Sequence, residues 1–170
     1  RPSCLVVDKG GLYYQPDEKS DLIGLLNHSQ LSAAQLSRGL ELQRMLQALA
    51  VTKYNVGDRA PGHQAAILAA YRHQAQERPL LLVPGQYEQD LSIACSRGSI
   101  KTNDGLLEQV RRDFPEAFII YKEHPDLYSG VRPGALGETR ALAVADAYVT
   151  DLDMHHLLEE CDRVCTMTSL

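Results

Sequence analysis

The sequence predicts an α/β domain, a Rossmann-like parallel sheet flanked by helices. From Arg78 onward, short apolar runs alternate with helix-like stretches, the pattern of parallel α/β units. The runs Leu80-Leu81-Leu82-Val83 and Phe118-Ile119-Ile120-Tyr121 are apolar at consecutive positions, as strands buried on both faces are. Most of these runs end in polar clusters, where an open parallel sheet places its ligand crevice.

In chain order, Ser3-Cys4-Leu5-Val6-Val7 reads as a short strand, and Asp8-Lys9-Gly10-Gly11 as the turn that folds it onto Leu12-Tyr13-Tyr14. Asp17 to Asn27 carries Leu22, Ile23, Leu25 and Leu26 at helical spacing. Ser32-Ala33-Ala34-Gln35 is a capping box that opens a longer helix, with Leu42, Met45, Leu46 and Leu49 in a stripe expected to enter the core. Asn55 to Gly62 is dense in turn residues and divides the chain. Residues 1–60 then read as connector strands and helices, and residues 61–170 as the sheet domain. Within the latter, Ala65–Gln76 is predicted helical, with His63 and His73 solvated or partly packed. Strands are expected at 79–83, 117–121, 147–150 and 163–167, and helices near 104–112, 139–145 and 153–160.

With 170 residues, 44% hydrophobic and 23% charged, the chain is long enough to bury one sizeable core. No apolar run approaches the roughly 18 residues of a membrane span, and no basic-then-apolar leader is present. A net charge of −5 argues against non-specific nucleic-acid binding. Cys4, Cys95, Cys161 and Cys165 form no CxxC pair, so free thiols are expected. Cys161 and Cys165 lie near His155 and His156, but Cys165 sits in an apolar run and reads as a small hydrophobe, not a metal ligand.

The strand ends carry the chemistry. After the first comes Pro84-Gly85-Gln86-Tyr87-Glu88-Gln89-Asp90-Leu91-Ser92, after the second Lys122-Glu123-His124-Pro125-Asp126, and after the last Thr168-Ser169. Pro125 stops its strand and biases His124 toward extended backbone. Hydroxyls with the amides behind them, together with Lys122 and His124, suit an anionic ligand such as a phosphate ester. The same spacing is equally consistent with Thr168-Ser169 capping a helix and His124 bonding a turn. Glu88 and Asp90 are placed to act as nucleophile or base, although loop acids are usually just solvated. Asp151-Leu152-Asp153 has the Asp-x-Asp form of a metal site, yet Asp153 precedes a helical stretch and reads as its N-cap.

The segments Gly11-Leu12-Tyr13-Tyr14, Lys53-Tyr54-Asn55-Val56-Gly57, Leu82-Val83-Pro84-Gly85-Gln86, Asp90-Leu91-Ser92-Ile93, Ile120 to Asp126 and Thr166-Met167-Thr168-Ser169-Leu170 occur in this order. In that combination the chain resembles the capsule polysaccharide biosynthesis and export family of Gram-negative bacteria, and within it the cytoplasmic β-Kdo transferases. The resemblance implies a GT-B-like glycosyltransferase, with an N-terminal domain ahead of this stretch and a helix after Thr168-Ser169. It implies CMP-Kdo as donor and a lipid-linked glycan as acceptor; the single phosphate of a leaving CMP can be stabilised without an ion, so no metal or other cofactor is expected. It further implies a cytoplasmic protein, peripheral at the inner membrane, with capsule assembly and export proteins as partners.

The resemblance assigns Gln86, Ser92, Lys122, His124, Pro125, Thr168 and Ser169 to donor binding. The catalytic carboxylate of a retaining transfer falls on Asp90, with Glu88 as the alternative because the order here is Glu88-Gln89-Asp90 where the family commonly has adjacent acids. Glu123 replaces the first proline of a Lys-Pro-His-Pro pattern and is expected to set a negative charge beside the phosphate site. A non-catalytic nucleotide-sugar or polysaccharide-binding module of the same machinery is the alternative reading, and a phosphate-ester hydrolase using His124 a more distant one.

Overall fold

A computed structural model of the protein describes residues 21–49 and 61–168. The expected strand at 3–7, its hairpin, most of the 55–62 linker and Ser169 lie outside the described residues. The elements run α1 (Asp21–His28), α2 (Ala33–Ala48), α3 (Pro61–Ala75), β1 (Leu80–Pro84), α4 (Leu91–Ala94), α5 (Asn103–Asp113) and β2 (Phe118–Lys122). They continue as α6 (Pro125–Tyr128), α7 (Glu138–Ala141), β3 (Ala147–Val149), α8 (Met154–Glu160) and β4 (Arg163–Val164).

The strands form a parallel sheet in the order β3-β2-β1-β4. Alternation of side chains explains why β1 and β2 are apolar at consecutive positions. Leu81, Val83, Ile119 and Tyr121 face Leu106, Leu107 and Val110 of α5 and Ala141 of α7. Leu80, Leu82, Phe118 and Ile120 face Leu68 and Ala75 of α3 and Leu157 of α8. Each of these large side chains contributes about 1.5–3 kcal/mol by leaving water, so the two central strands anchor the fold.

Both outer pairings are locked at the amino edge by the same device. The Asp146 N–H donates to Ile119 O at 2.9 Å, and the Ile119 N–H returns to Asp146 Oδ2 at 2.9 Å. The Asp162 N–H donates to Leu80 O at 2.8 Å, and the Leu80 N–H returns to Asp162 Oδ2 at 2.7 Å. Each carboxylate thus supplies the acceptor that a further strand residue would have supplied. An arginine backs each one: Arg111 Nη2 lies 2.6 Å from Asp146, and Arg72 Nη1 lies 3.0 Å from Asp162.

Three expectations change. The Leu42, Met45 and Leu49 stripe of the second helix is half or more exposed, and no residue of α2 is buried among the described atoms. The capping box on Ser32 and Gln35 forms as expected, so local signals suffice to make the helix, but periodicity alone does not supply a surface to pack against. The helix expected to reach 145 stops at Ala141, and the chain turns so that Ala145 enters the core. The last strand has only two residues, both exposed, because among the described residues it forms the sheet's edge and pairs on one side alone. Short helices α4 and α6, absent from the sequence reading, follow β1 and β2 directly.

Candidate functional site

Strand register brings the polar clusters to one edge. Pro84 is level with Lys122, and Lys122 with Val149. The Gly85 N–H then donates to Lys122 O at 2.7 Å, and the Glu123 N–H to Val149 O at 2.9 Å. Chain order reverses between β1 and β4, since β1 leads to β2 on one side while β4 returns to its other side. Such a switch point opens a crevice beyond the strand ends.

Gln86 spans this crevice. Its Oε1 accepts from Thr166 Oγ1 at 2.9 Å, from the Met167 N–H at 3.0 Å and from the Thr168 N–H at 3.1 Å. Its Nε2 donates to Thr168 Oγ1 at 3.1 Å, and the Ser92 and Thr168 hydroxyls lie 3.2 Å apart. Gln86, Ser92 and Thr168, expected at one site, are therefore in direct contact. The side chain of Gln86 is spent on holding the segment after β4, so it organises the site more than it faces a ligand.

The two candidate acids have different surroundings. Asp90 is the N-cap of α4, and its Oδ1 accepts from the Ser92 N–H at 2.9 Å. It is exposed, so its carboxylate is oriented yet reachable. Glu88 reaches instead to the start of α5, where Oε1 accepts from the Asn103 N–H at 2.7 Å.

His124 is the N-cap of α6, with Pro125 in the first turn, and its Nδ1 accepts from the Asp126 N–H at 3.2 Å. That bond assigns the proton of a neutral ring to Nε2, which makes Nε2 the donor nitrogen. The turn-binding histidine considered from the sequence is thus present, and it leaves the ring with a defined donor. Lys122 is only 5% exposed and its Nζ lies 3.3 Å from Thr150 O; it stiffens the ends of β2 and β3 and is a poor candidate for direct ligand contact.

Glu123, expected to set a negative charge beside the phosphate site, directs its carboxylate at neighbouring donors within the fold. It is fully buried, accepting from the Tyr121 hydroxyl at 3.1 Å, the His124 N–H at 3.3 Å and the Gly137 N–H at 3.1 Å. Gly137 has φ 79°, a conformation glycine adopts at little cost. Burial and the Glu123 carboxylate raise the Tyr121 phenol above its ordinary range, and the same two causes push Tyr148 up to about 12.

Asp153 caps α8 through its bond from the His155 N–H at 2.8 Å, the bland role the sequence favoured. No cluster of three His, Cys, Asp or Glu side chains suited to a metal occurs among the described residues. Cys161 and Cys165 are free thiols, both raised by burial, Cys161 to about 11. A shallow concavity of about 630 Å³, lined by Ala65, Ala69, Arg72, His73, Gln76 and Glu160, lies where α3 and α8 end, at the sheet's amino edge and away from this site.

Three residues escaped the sequence reading. Asn103, wholly buried, pairs with the backbone of Gln86. Lys101 Nζ donates to Ile93 O, Ser96 O and Ser96 Oγ, each at 2.7 Å, and ties down the end of α4. The Arg132 guanidinium lies 4.6 Å above the Tyr87 ring and 3.4 Å from Asp126 Oδ2, joining the loops after β1 and β2. The polar run Lys101-Thr102-Asn103-Asp104 looks like an ordinary helix start; nothing in it marks Asn103 as buried.

The whole chain, residues 1–170, matches the family described as Capsule polysaccharide biosynthesis protein. It is 34% identical over 169 residues to the capsule polysaccharide modification protein LipA of Neisseria meningitidis serogroup A, covering 99% of this chain and 23% of that protein. It is 30% identical over 171 residues to the lipopolysaccharide-processing protein LpsZ of Rhizobium meliloti, covering 99% and 37%. Among solved structures it is similar to the Thermosulfurimonas dismutans KpsC β-Kdo 2,7 transferase, with a TM-score of 0.64, 26% identity and coverage of 95% of this chain and 45% of that one. The β-Kdo 2,4 transferase of the same organism has a TM-score of 0.66 at 22% identity, with coverage of 95% and 48%, a likeness of fold. The chain thus spans about a quarter to just over a third of these curated relatives, and less than half of either structure.

Proposed function

Because the chain belongs to the capsule polysaccharide biosynthesis family, we propose that it is the donor-binding part of a GT-B-like, retaining glycosyltransferase. The transfer moves Kdo from CMP-Kdo to a lipid-linked Kdo or glycan acceptor. The observation that carries this reading is the meeting of Gln86, Ser92 and Thr168 at the switch point between β1 and β4, one strand from His124. Only β1 stands between β4 and β2, so Thr168 and His124 both follow strand ends on one edge of the sheet, where the donor phosphate is proposed to sit. The likeness to the 2,7 transferase supports the same chemistry.

In this mechanism the Nε2–H of His124 and the Thr168 hydroxyl, with Ser169 beside it, donate to the donor phosphate. The Asp90 carboxylate, oriented by the Ser92 N–H, attacks the anomeric carbon. The bond to the phosphate oxygen breaks with its electron pair leaving on CMP. The acceptor hydroxyl then displaces Asp90, its proton passing to solvent, and two inversions give retention. A leaving phosphate monoester needs only these donors and no divalent ion. A lipid-linked glycan is the proposed acceptor, and capsule assembly and export proteins at the inner membrane are the proposed partners of a cytoplasmic protein. No helix among the described residues is long and apolar enough to cross a membrane.

A second reading, a non-catalytic binding module, is favoured by the fact that both acids hold structural bonds, Asp90 as a cap and Glu88 on Asn103. The full-length protein, given CMP-Kdo and a Kdo-bearing glycolipid, decides between them. Release of CMP that depends on the acceptor and survives chelator supports the transferase. Binding of CMP without release supports the module, and no binding of CMP sinks both. His124→Ala should weaken CMP roughly ten- to a hundredfold, the loss of one charge-assisted contact; unchanged affinity would remove His124 from the site.

A further inference from the structure

We propose that Asn103 is a positioning residue for the donor site. It acts through Gln86 to set the segment 166–168 against Ser92, and the proposal rests on the reading of Thr168 as a donor contact.

Asn103 is 0% exposed. Its Oδ1 accepts from the Gln86 N–H at 2.9 Å, and its Nδ2 donates to Gln86 O at 2.8 Å. A side-chain amide that satisfies both backbone groups of one residue acts as a rung of sheet, and it fixes that residue's position and rotation together. Gln86 has left β1, so no strand performs this task. The side chain of Gln86 then carries the constraint across the crevice to Thr166, Met167 and Thr168. Asn103 is held in turn by its own N–H on Glu88 Oε1 at 2.7 Å, and by the start of α5, whose N-cap Thr102 bonds the Gly105 N–H. The chain of contact runs from a helix of the core to the hydroxyl assigned to the phosphate, through two amides whose donors and acceptors match.

Two measurements on the full-length protein test this. The first is hydrogen exchange in the absence of ligand. Asn103→Ala should speed exchange of the Met167 and Thr168 amides, held by Gln86 Oε1, by roughly tenfold or more, while 80–84 and 118–122 keep their protection. Unchanged exchange at 166–168, or equal loss across the central strands, would overturn the proposal. If Asn103→Ala does not fold, Asn103→Leu, of similar volume and without the amide, carries the same measurement with the same two outcomes.

The second is CMP affinity in a double-substitution cycle. Asn103→Ala should weaken CMP about tenfold, the scale of a lost hydrogen bond or two, and add almost nothing in a Thr168→Val background. Additive losses would mean that Asn103 acts on stability and not on Thr168. Failure of the wild-type protein to bind CMP would sink the donor reading and the role given to Asn103, whereas the exchange result reads the mechanical link alone.

Discussion

The hydroxyl of Tyr121 lies over the bare α-carbon of Gly85. A β-carbon at position 85 would stand 2.9 Å from Tyr121 Cζ and 3.1 Å from Lys122 O, and closer still to the phenolic oxygen. Glycine is required there by contact with a neighbour, since the Gly85 N–H must also reach Lys122 O at 2.7 Å. Gly85→Ala should therefore destabilise the protein by about 1–3 kcal/mol, the usual cost of overpacking. Tyr121→Phe removes the oxygen, so the double variant should lose less than the sum of the singles in denaturant titration. Strict additivity would mean that the overlap is relieved elsewhere.

Asp90→Asn separates capping from chemistry. Asparagine caps a helix as well as aspartate, so stability and CMP affinity should barely change. Under the proposed mechanism turnover should fall by several orders of magnitude, as for a group used in the transition state. Mass spectrometry after exposure to CMP-Kdo should find a Kdo-sized adduct on the peptide containing Gln86 to Ser92. Retained turnover in the variant, or an adduct on Glu88, would assign the reaction to another residue.

Alkaline pH should weaken the fold through its buried phenols. In the unfolded chain tyrosine ionises near pH 10, whereas folded Tyr148 is pushed up to about 12 by burial and then by Glu123. The folded state holds its proton longer, so this contribution is complete below pH 10 and is lost as pH rises through 10 to 12. Denaturant midpoints should fall over that window, and less steeply in Tyr148→Phe. An identical slope in the variant would place the loss on other groups.

The acid side is set in part by Asp162. The Leu80 N–H, then Arg72, holds its carboxyl below the ordinary carboxylate range, so its contribution is present above about pH 4 and disappears as pH falls through the folded value. Asp162→Asn should be less stable near neutral pH and should show a shallower acid limb. Equal limbs would mean that the carboxylate is not linked to folding.

The central strands were legible because Leu80 to Val83 and Phe118 to Tyr121 are apolar without alternation, which only a twice-covered strand requires. The Ser32 and Asp153 caps were legible because their partners lie two or three residues away. What escaped depended on distance along the chain. Asn103 meets Gln86 across 17 positions, and Gln86 meets Thr168 across 82, so their pairing exists only after the sheet is built. Four-residue helices α4 and α6 are too short for periodicity to reveal. The burial of Glu123 was not legible because sequence shows its neighbour His124 but not Gly137, whose N–H its carboxylate accepts.

The paired bonds of Asp146 with Ile119 and of Asp162 with Leu80 have a consequence for how such a sheet tolerates change. A one-residue slip of either outer strand would break both bonds of its device and present the wrong faces to α3 and α5. Alignment is therefore decided at the end of the sheet farthest from the polar loops. The ties among the polar loops, such as Gln86 to Thr168, are then made on strands whose register is already set. The sheet is in this sense a frame pinned at one rim, and a substitution in the loops of the other rim leaves its alignment untouched.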